Sequence, residues 1–176
     1  RRSPKKRPPQ GERKLFFETN NETARPEEPP SSGGVSKPAL SPTEGGARPL
    51  AGLRVIDFTA FWAGPFVTQY LAAMGADVIK VERPGIGDSA RGWGPPFVNG
   101  ESTYFLTANR NKRSLTLDLN TPEGIRILHS LVNQADVFLI NQPSRASLCK
   151  RQIDYDSLHA INPRMVYCSI TAYGFS

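Results

Sequence analysis

The sequence has few of the residues that build disulfide-linked domains and metal centres. Its 176 residues include two cysteines, Cys149 and Cys168, which lie 19 positions apart and form no Cys-x-x-Cys pair. It also has two histidines, and neither belongs to a paired metal-binding spacing such as His-Glu-x-x-His. We therefore expect no disulfide framework, no metal site and a reducing intracellular compartment.

Long apolar runs and nucleotide-binding fingerprints are also missing. No stretch approaches the roughly 20 apolar residues that a membrane-spanning helix requires, so we expect no membrane segment. The P-loop pattern is absent, and the Gly-x-Gly at Gly85–Gly87 follows Pro84 and opens no predicted helix. A dinucleotide fingerprint should follow the first strand and begin a helix, so this position argues against an NAD site.

Acidic residues are scarce at the start of the chain. Residues 1–14 carry seven Lys or Arg and one acid, in a chain of net charge +6. The functional interpretations are binding to nucleic acid, binding to an anionic membrane, or a targeting signal; the alternative is a solvated, disordered segment, which composition favours. Neither zinc spacing nor an aromatic-rich sheet motif supports nucleic-acid binding.

The region that follows is rich in proline, serine and glycine up to residue 49. We predict that residues 1–48 form a disordered basic and proline-rich tail, and that residues 49–176 form the ordered domain. The basic start fits a mitochondrial transit peptide loosely, whereas Glu18, Glu22, Glu27 and Glu28 fit it badly. We expect a mitochondrial location, with the cytoplasm as the alternative.

Alternating strand and helix patterns begin after residue 49. Short apolar, β-branched runs predict strands at 53–58, 77–82, 113–119, 136–141 and 165–171. Helices are predicted between them: one from Pro65 with an apolar stripe (Phe66, Val67, Tyr70, Leu71 and Met74), one at 102–109, one from Thr121 and one at 155–161. This order predicts an α/β fold with a doubly wound, mostly parallel, Rossmann-like sheet and a long functional loop at 84–101.

Ligands of such sheets bind beyond the carboxyl ends of the strands. Arg83, Asn120 and Asn141 follow predicted strands there, and the turn at Gly64 and Pro65 opens a helix whose N-terminus suits an anion. The basic run 110–113 is interpreted either as a phosphate-binding cluster or as exposed loop charge. Asp57 and Asp118 are equally consistent with site carboxylates and with turn or capping residues. These residues fit a nucleotide or coenzyme A (CoA) type of ligand without selecting a reaction.

The ordered region resembles the family III CoA-transferases of the CaiB/BaiF type. The resemblance runs through many blocks in order: 49–55, 63–66, 75–85, 91–97, 109–114, 117–119, 121–124, 135–137, 162–164 and 167–171. It is closest to the mitochondrial branch that moves CoA between succinyl-CoA and glutarate or hydroxymethylglutarate. The incomplete, Rossmann-like sheet expected here would be the N-terminal part of that family's large domain.

The resemblance implies a CoA-transferase that exchanges CoA between an acyl-CoA, with succinyl-CoA as the expected donor, and a carboxylic or dicarboxylic acid through an aspartyl thioester. It further implies CoA as a substrate rather than a permanently bound cofactor, and an interlocked homodimer with no nucleic-acid or membrane partner. In relatives the nucleophilic aspartate comes after a Tyr-Gly step, which here is Tyr173-Gly174. We therefore expect the nucleophile beyond Ser176 and no catalytic residue within the sequence.

The resemblance also assigns CoA contacts by position. The matching residues are Trp62, Ala63, Arg83, Leu117, Asn120, Asn141 and Lys150. The sequence departs from the family after the fourth strand, where Ile140, Gln142 and Arg145 replace the usual glutamate, aromatic residue and glycine. Two alternatives stay open: a non-catalytic truncated isoform or assembly partner, and an α-methylacyl-CoA racemase, which the length of the 84–101 segment disfavours.

Overall fold

The computed structural model describes residues 48–141 and 144–174. The disordered tail was predicted for residues 1–48, of which residues 1–47 lie outside the described residues. Within the described ranges no helix is both long enough and apolar enough to cross a membrane. The same ranges contain no group of three His, Cys, Asp or Glu side chains placed to hold a metal ion.

A five-stranded parallel sheet forms the centre of the fold. In chain order the elements are β1 (Arg54–Phe58), α1 (Ala63–Ala73), β2 (Asp77–Glu82), a 3-10 turn (Ser89–Gly92), β3 (Phe97–Val98), β4 (Glu101–Ser102), α2 (Thr103–Ala108), β5 (Arg113–Thr116), α3 (Pro122–Val132), β6 (Val137–Ile140), α4 (Arg145–Lys150), α5 (Tyr155–Ile161) and β7 (Val166–Ser169). The sheet order is β5-β2-β1-β6-β7, with every neighbouring pair parallel. The predicted α/β fold with a mostly parallel sheet is confirmed.

The strand order changes direction between β1 and β6. From β1 the chain adds β2 and β5 on one side, and it then crosses to add β6 and β7 on the other side. Phe58 at the end of β1 lies beside Ile140 at the end of β6 in the parallel register. Diverging loops at such a switch point leave a crevice at the carboxyl edge, which is the place where open α/β sheets bind ligands.

Alternating side chains cover the two faces of the sheet with separate apolar layers. On one face, residues of β1, β2 and β6 pack against the end of α1: Val55, Val78, Leu139, Ala72 and Ala76. On the other face, their sequence neighbours pack against α3 and α5, including Ile56, Ile79, Phe138, Leu128 and Leu158. The period of two along each strand therefore places helices on both faces, as the doubly wound prediction requires.

Helix α1 forms where it was predicted, but three residues of its apolar stripe are exposed, while Leu71 packs against the core. Val67, Tyr70 and Met74 are 44%, 54% and 39% exposed. The buried face consists instead of small and polar residues: Gly64, Pro65, Thr68, Gln69 and Ala72. These residues let the helix approach the sheet closely, and the Thr68 hydroxyl donates to the Asp57 carboxylate at 2.7 Å. A polar contact therefore contributes to deciding which face of α1 is buried.

Two further elements differ from the sequence prediction. The 84–101 segment is not a bare loop, because it contains the 3-10 turn and the antiparallel pair β3 and β4. Helix α4 was not predicted; it begins after Ser144, whose hydroxyl accepts from the Ser147 N–H at 3.3 Å. A helix of six residues is too short to show an apolar period, so its capping serine was the available signal.

Gly124 provides a test of how closely α3 approaches the loop before it. A Cβ added at Gly124 would lie 1.9 Å from the backbone oxygen of Asp118. We expect Gly124→Ala to lower the free energy of unfolding by about 2 kcal/mol, because the backbone must move to relieve the clash. Gly92→Ala is the matched control, since Gly92 has open space around it and no positive φ. Equal urea midpoints for the two variants would contradict this packing.

Candidate functional site at the carboxyl edge of the sheet

The turn between β1 and α1, residues 59–62, lies at the switch point and has a strained backbone. Phe61 has a φ of 70°, a left-handed value that is uncommon for residues other than glycine. Its N–H donates to the Asp88 Oδ1 at 3.1 Å, so the loop after β2 holds this conformation. Strained residues of this kind persist where surrounding contacts fix them, and they concentrate at ligand-binding sites.

Asn141 clamps the same turn from the other side of the switch point. Its Oδ1 accepts from the Ala60 N–H at 2.9 Å, and its Nδ2 donates to the Ala60 carbonyl at 2.6 Å. This pair of bonds links the ends of β1 and β6. Both polar ends of the Asn141 amide are therefore bound to backbone, so the structure places this predicted CoA contact as a clamp of the turn.

Asp57 lies beneath the turn and is completely buried. Its Oδ2 accepts from the Thr68 hydroxyl at 2.7 Å and from Lys112 Nζ at 2.9 Å, while Thr59 binds Oδ1. Burial alone would raise the pKa of Asp57, but the nearby ammonium groups of Lys80 and Lys112 outweigh it and the pKa is lowered. Of the two open interpretations of Asp57, the structure supports the turn-supporting role.

Lys112 belongs to the basic run that was interpreted either as a phosphate cluster or as exposed charge. Neither interpretation fits Lys112, because its side chain is only 2% exposed. Its Nζ donates to Asp57, to the Pro65 carbonyl at 2.8 Å and to Asn109 Oδ1 at 2.8 Å. Burial lowers the pKa of Lys112 to about 8, although the Asp57 carboxylate opposes the shift. Its neighbour Arg113 pairs with Asp77 at 2.7 Å.

A second set of charges orders the loop after β2. Lys80 Nζ donates to the Thr59 carbonyl at 2.8 Å and lies 2.9 Å from Asp88 Oδ2. Glu82 accepts from the Asp88 N–H at 2.9 Å, and both of its oxygens accept from Arg91 at 2.8 Å. Burial would raise the pKa of Glu82, but the Arg91 guanidinium holds it below its usual value. The loop is thus fixed to the end of β2 by ionic contacts.

Aromatic rings form a groove beside the turn. The Trp62 ring lies 5.0 Å from that of Phe66 and 4.6 Å from that of Tyr104, and the Trp93 ring lies 5.0 Å from Tyr104. The groove has a volume of about 350 Å³ and is lined by Trp62, Trp93, Gly94, Pro95, Pro96, Thr103, Tyr104 and Thr107. Flat aromatic walls of this kind suit apolar or planar parts of a ligand.

The start of α1 opens next to this groove. Trp62 occupies the N-cap position and its side chain caps no N–H of the first turn. An indole is a donor only, so it is unable to accept these hydrogen bonds. The amide of the exposed Ala63 and the positive end of the helix dipole are consequently left for water or an anion.

The structure brings only some of the predicted CoA contacts together. Trp62 and Ala63 lie in the turn that Asn141 clamps, and Arg83 is exposed directly after the adjacent strand β2. Leu117 belongs instead to the apolar core. Asn120 is exposed and accepts from Arg151 at 3.0 Å. Lys150 lines a separate surface groove along α3, with Ile125, Arg126 and His129 among its residues.

Sequence reasoning missed the residues that hold the site in shape. Lys80 and Asp88 are 2% and 4% exposed, and neither was selected as a candidate. One signal was present in the sequence: Lys80 lies between an isoleucine and a valine of β2, at a buried position. A lysine at such a position needs a buried acceptor, and Asp57 is its register partner on β1.

Sequence comparisons identify the family. Residues 50–176 match the model of CoA-transferase family III, so the chain belongs to this family. It is 50% identical over 127 residues to the mouse (Mus musculus) succinyl-CoA:glutarate CoA-transferase, covering 72% of the chain and 29% of that relative. It is 49% identical over 132 residues to succinate–glutarate CoA-transferase of Agrobacterium fabrum, covering 72% of the chain and 33% of the relative.

A solved structure shares the fold. The crystal structure of a CaiB/BaiF family protein from Brucella suis superposes with a TM-score of 0.69 at 48% identity, over 73% of this chain and 34% of that one. The chain spans about a third of the length of the curated relatives it matches. The predicted family is confirmed, and the named relatives are CoA-transferases.

The buried Lys112 generates a pH prediction. Its pKa is about 8 in the folded protein and 10.5 when unperturbed, so between these values the unfolded chain binds more protons. The free energy of unfolding of the unmodified chain, relative to that of the Lys112→Met variant, should therefore rise from about pH 8 to about pH 10.5. At pH 7 the variant should be less stable by about 3 kcal/mol, because Asp57 loses its nearest cation. Urea unfolding at pH 7, 8, 9 and 10 measures both effects.

The exposed Lys150 supplies the control, since Lys150→Met removes a lysine without leaving a buried carboxylate. This control should stay within about 0.5 kcal/mol of the unmodified chain. A stability difference between the Lys112 variant and the unmodified chain that does not change with pH would contradict the assigned burial of Lys112.

Proposed function

We propose that this chain supplies the CoA-binding part of a CoA-transferase that moves CoA between succinyl-CoA and a dicarboxylic acid, with glutarate as the acceptor. The observation that carries the proposal is the uncapped start of α1 beside the aromatic groove, at the switch point of the sheet. The family membership and the names of the two relatives support the reaction and the substrates.

The chemistry of the site matches the parts of CoA. CoA carries phosphate groups, a flexible pantetheine arm and an acyl thioester. The amide of Ala63 suits a phosphate or an oxyanion, and Arg83 offers the bidentate bonds that guanidinium groups form with phosphate. The walls formed by Trp62, Trp93 and Tyr104 suit the apolar arm and the acyl group.

The reaction needs a carboxylate nucleophile. A free carboxylate attacks the thioester carbonyl and releases the CoA thiolate, giving a mixed anhydride. The thiolate then attacks the enzyme's acyl carbon, which gives an enzyme thioester and releases the first acid. The acceptor acid reverses these steps and leaves with CoA. Splitting one acyl exchange in this way lowers each barrier, and backbone N–H groups stabilise the oxyanions.

The carboxylates beside the groove are already engaged. Asp57 is bound to Lys112, Asp88 lies against Lys80, and Glu82 is bound to Arg91. None of these three is free to attack a thioester. We therefore propose that the nucleophilic aspartate lies outside the described residues and that the binding and chemical functions occupy different parts of the enzyme.

The cellular location, the oligomeric state and the role of CoA are also proposals. We propose that the enzyme acts in mitochondria, which the basic start of the sequence supports. We further propose an interlocked homodimer, as the family resemblance implies, and CoA as a substrate rather than a resident cofactor.

A second candidate function is a non-catalytic assembly partner. The exposed apolar face of α1, formed by Val67, Tyr70 and Met74, favours it, because such faces are commonly covered in assemblies. Sedimentation of this chain alone and mixed with a complete family III CoA-transferase separates the two candidates. An assembly partner would form a mixed complex and lower transferase activity, whereas a CoA-binding part would bind CoA when alone.

Arg83 provides the binding prediction. Arg83→Ala should weaken CoA binding by about 1–3 kcal/mol, roughly five- to 150-fold in Kd, because a charge-assisted bond to phosphate is lost. Isothermal titration calorimetry with CoA measures this change. Arg164→Ala is the matched control, since Arg164 is exposed in the turn before β7, at the opposite edge of the sheet. Equal affinities for both variants would rule out the assigned role of Arg83.

The position of the nucleophile provides the activity prediction. The 176-residue chain should bind CoA but should not form glutaryl-CoA from succinyl-CoA and glutarate, because its carboxylates near the groove are ion-paired. Chromatographic detection of glutaryl-CoA measures the reaction, and the mouse relative serves as the positive control. Turnover by the chain alone would show that one of its own carboxylates is the nucleophile.

A further inference from the structure

We propose that Asp88 is a buried positioning residue whose Oδ1 acceptor fixes the β1–α1 turn against the loop after β2 and thereby sets the geometry of the aromatic groove, with Lys80 as the counter-ion of its second oxygen. Neither residue is placed to touch a ligand in the groove, since both are almost completely buried. The consequence for CoA binding rests on the proposed function. The consequence for the shape of the groove does not.

The pair makes contacts on both segments. Asp88 Oδ1 accepts from the Phe61 N–H at 3.1 Å and from the Ala90 N–H at 2.9 Å. Asp88 Oδ2 faces Lys80 Nζ at 2.9 Å, and the same ammonium donates to the Thr59 carbonyl at 2.8 Å. One carboxylate and one ammonium therefore hold the turn at two backbone groups and the loop at a third.

These backbone contacts lead directly to the two tryptophans. Trp62 follows Phe61, whose positive φ is held by Asp88. Trp93 donates its N–H to the Ala90 carbonyl at 3.1 Å, within the 3-10 turn whose Ala90 N–H is bound by Asp88. Both tryptophans line the groove, and the Phe61 and Trp93 rings lie 5.5 Å apart. A single acceptor atom is thus shared by the two backbone segments that form opposite parts of the groove.

The acceptor, rather than the charge, is the feature that this role requires. A buried ion pair is often replaceable by neutral groups of similar volume without loss of stability, because desolvation offsets its attraction. A backbone N–H at a left-handed residue, in contrast, needs an acceptor in a fixed place. The two functions of Asp88 are therefore separable by substitution.

Two neutral double variants of the 176-residue chain make that separation. Lys80→Met with Asp88→Asn removes both charges and keeps the Oδ1 acceptor, whereas Lys80→Met with Asp88→Ala removes the charges and the acceptor. Trp62 and Trp93 are the only tryptophans in the sequence, so near-ultraviolet circular dichroism reports on their packing. Far-ultraviolet circular dichroism checks that both variants keep their secondary structure, and calorimetry measures their Kd for CoA.

We expect the Asn variant to keep the tryptophan bands of the unmodified chain and a CoA Kd within about threefold of it. The Ala variant should lose most of the tryptophan signal and bind CoA at least tenfold more weakly, which corresponds to about 1.4 kcal/mol. Identical tryptophan bands in the two variants would overturn the inference. If the unmodified chain fails to bind CoA, the proposed function is wrong while the tryptophan bands still decide the positioning role.

The Ala variant is also informative if it does not fold. Phe61→Gly added to it relieves the strain, because glycine adopts a positive φ freely. We then expect the triple variant to regain its secondary structure. Failure to regain it would mean that Asp88 supports the fold in another way, and this result too would overturn the inference.

Discussion

Four buried charges beneath one turn support the rest of the site. Asp57, Lys80 and Asp88 are each no more than 4% exposed, and the Lys112 side chain is 2% exposed. Any one of them left without a partner would destabilise the fold strongly, so each charge requires the opposite charge beside it. They come from β1, β2, the loop after β2 and the segment before β5, and they therefore join these parts at the carboxyl edge.

This arrangement explains how one site is held rigidly and is still open to a ligand. The ammonium and carboxylate groups hold the turn, while the start of α1 has no side-chain cap and the rings of Trp62, Trp93 and Tyr104 line the groove. The ligand would accordingly meet backbone donors and aromatic walls rather than the buried charges. A preformed site of this kind binds without the cost of ordering a loop.

The sequence predicted the sheet better than it predicted the site. Strand and helix alternation determines a parallel sheet, because the periods of two and 3.6 are local properties of the chain. The contacts of the site are not local: Asp57 and Lys112 are 55 positions apart, and Asn141 and Ala60 are 81 apart. The burial of Lys112 and the clamping contacts of Asn141 were therefore not predictable from the sequence alone. The burial of Thr68 in α1 likewise depends on a residue of another element, since its hydroxyl donates to Asp57.

We propose that CoA binds where the β1–α1 turn, the start of α1 and the groove meet. Hydrogen–deuterium exchange of the chain with and without CoA is the decisive measurement, because the amides involved are on the backbone. We expect slower exchange in residues 61–66 and 83–93 on addition of CoA, and unchanged exchange along α3. Protection confined to the groove between α3 and Lys150, or no protection at all, would contradict it.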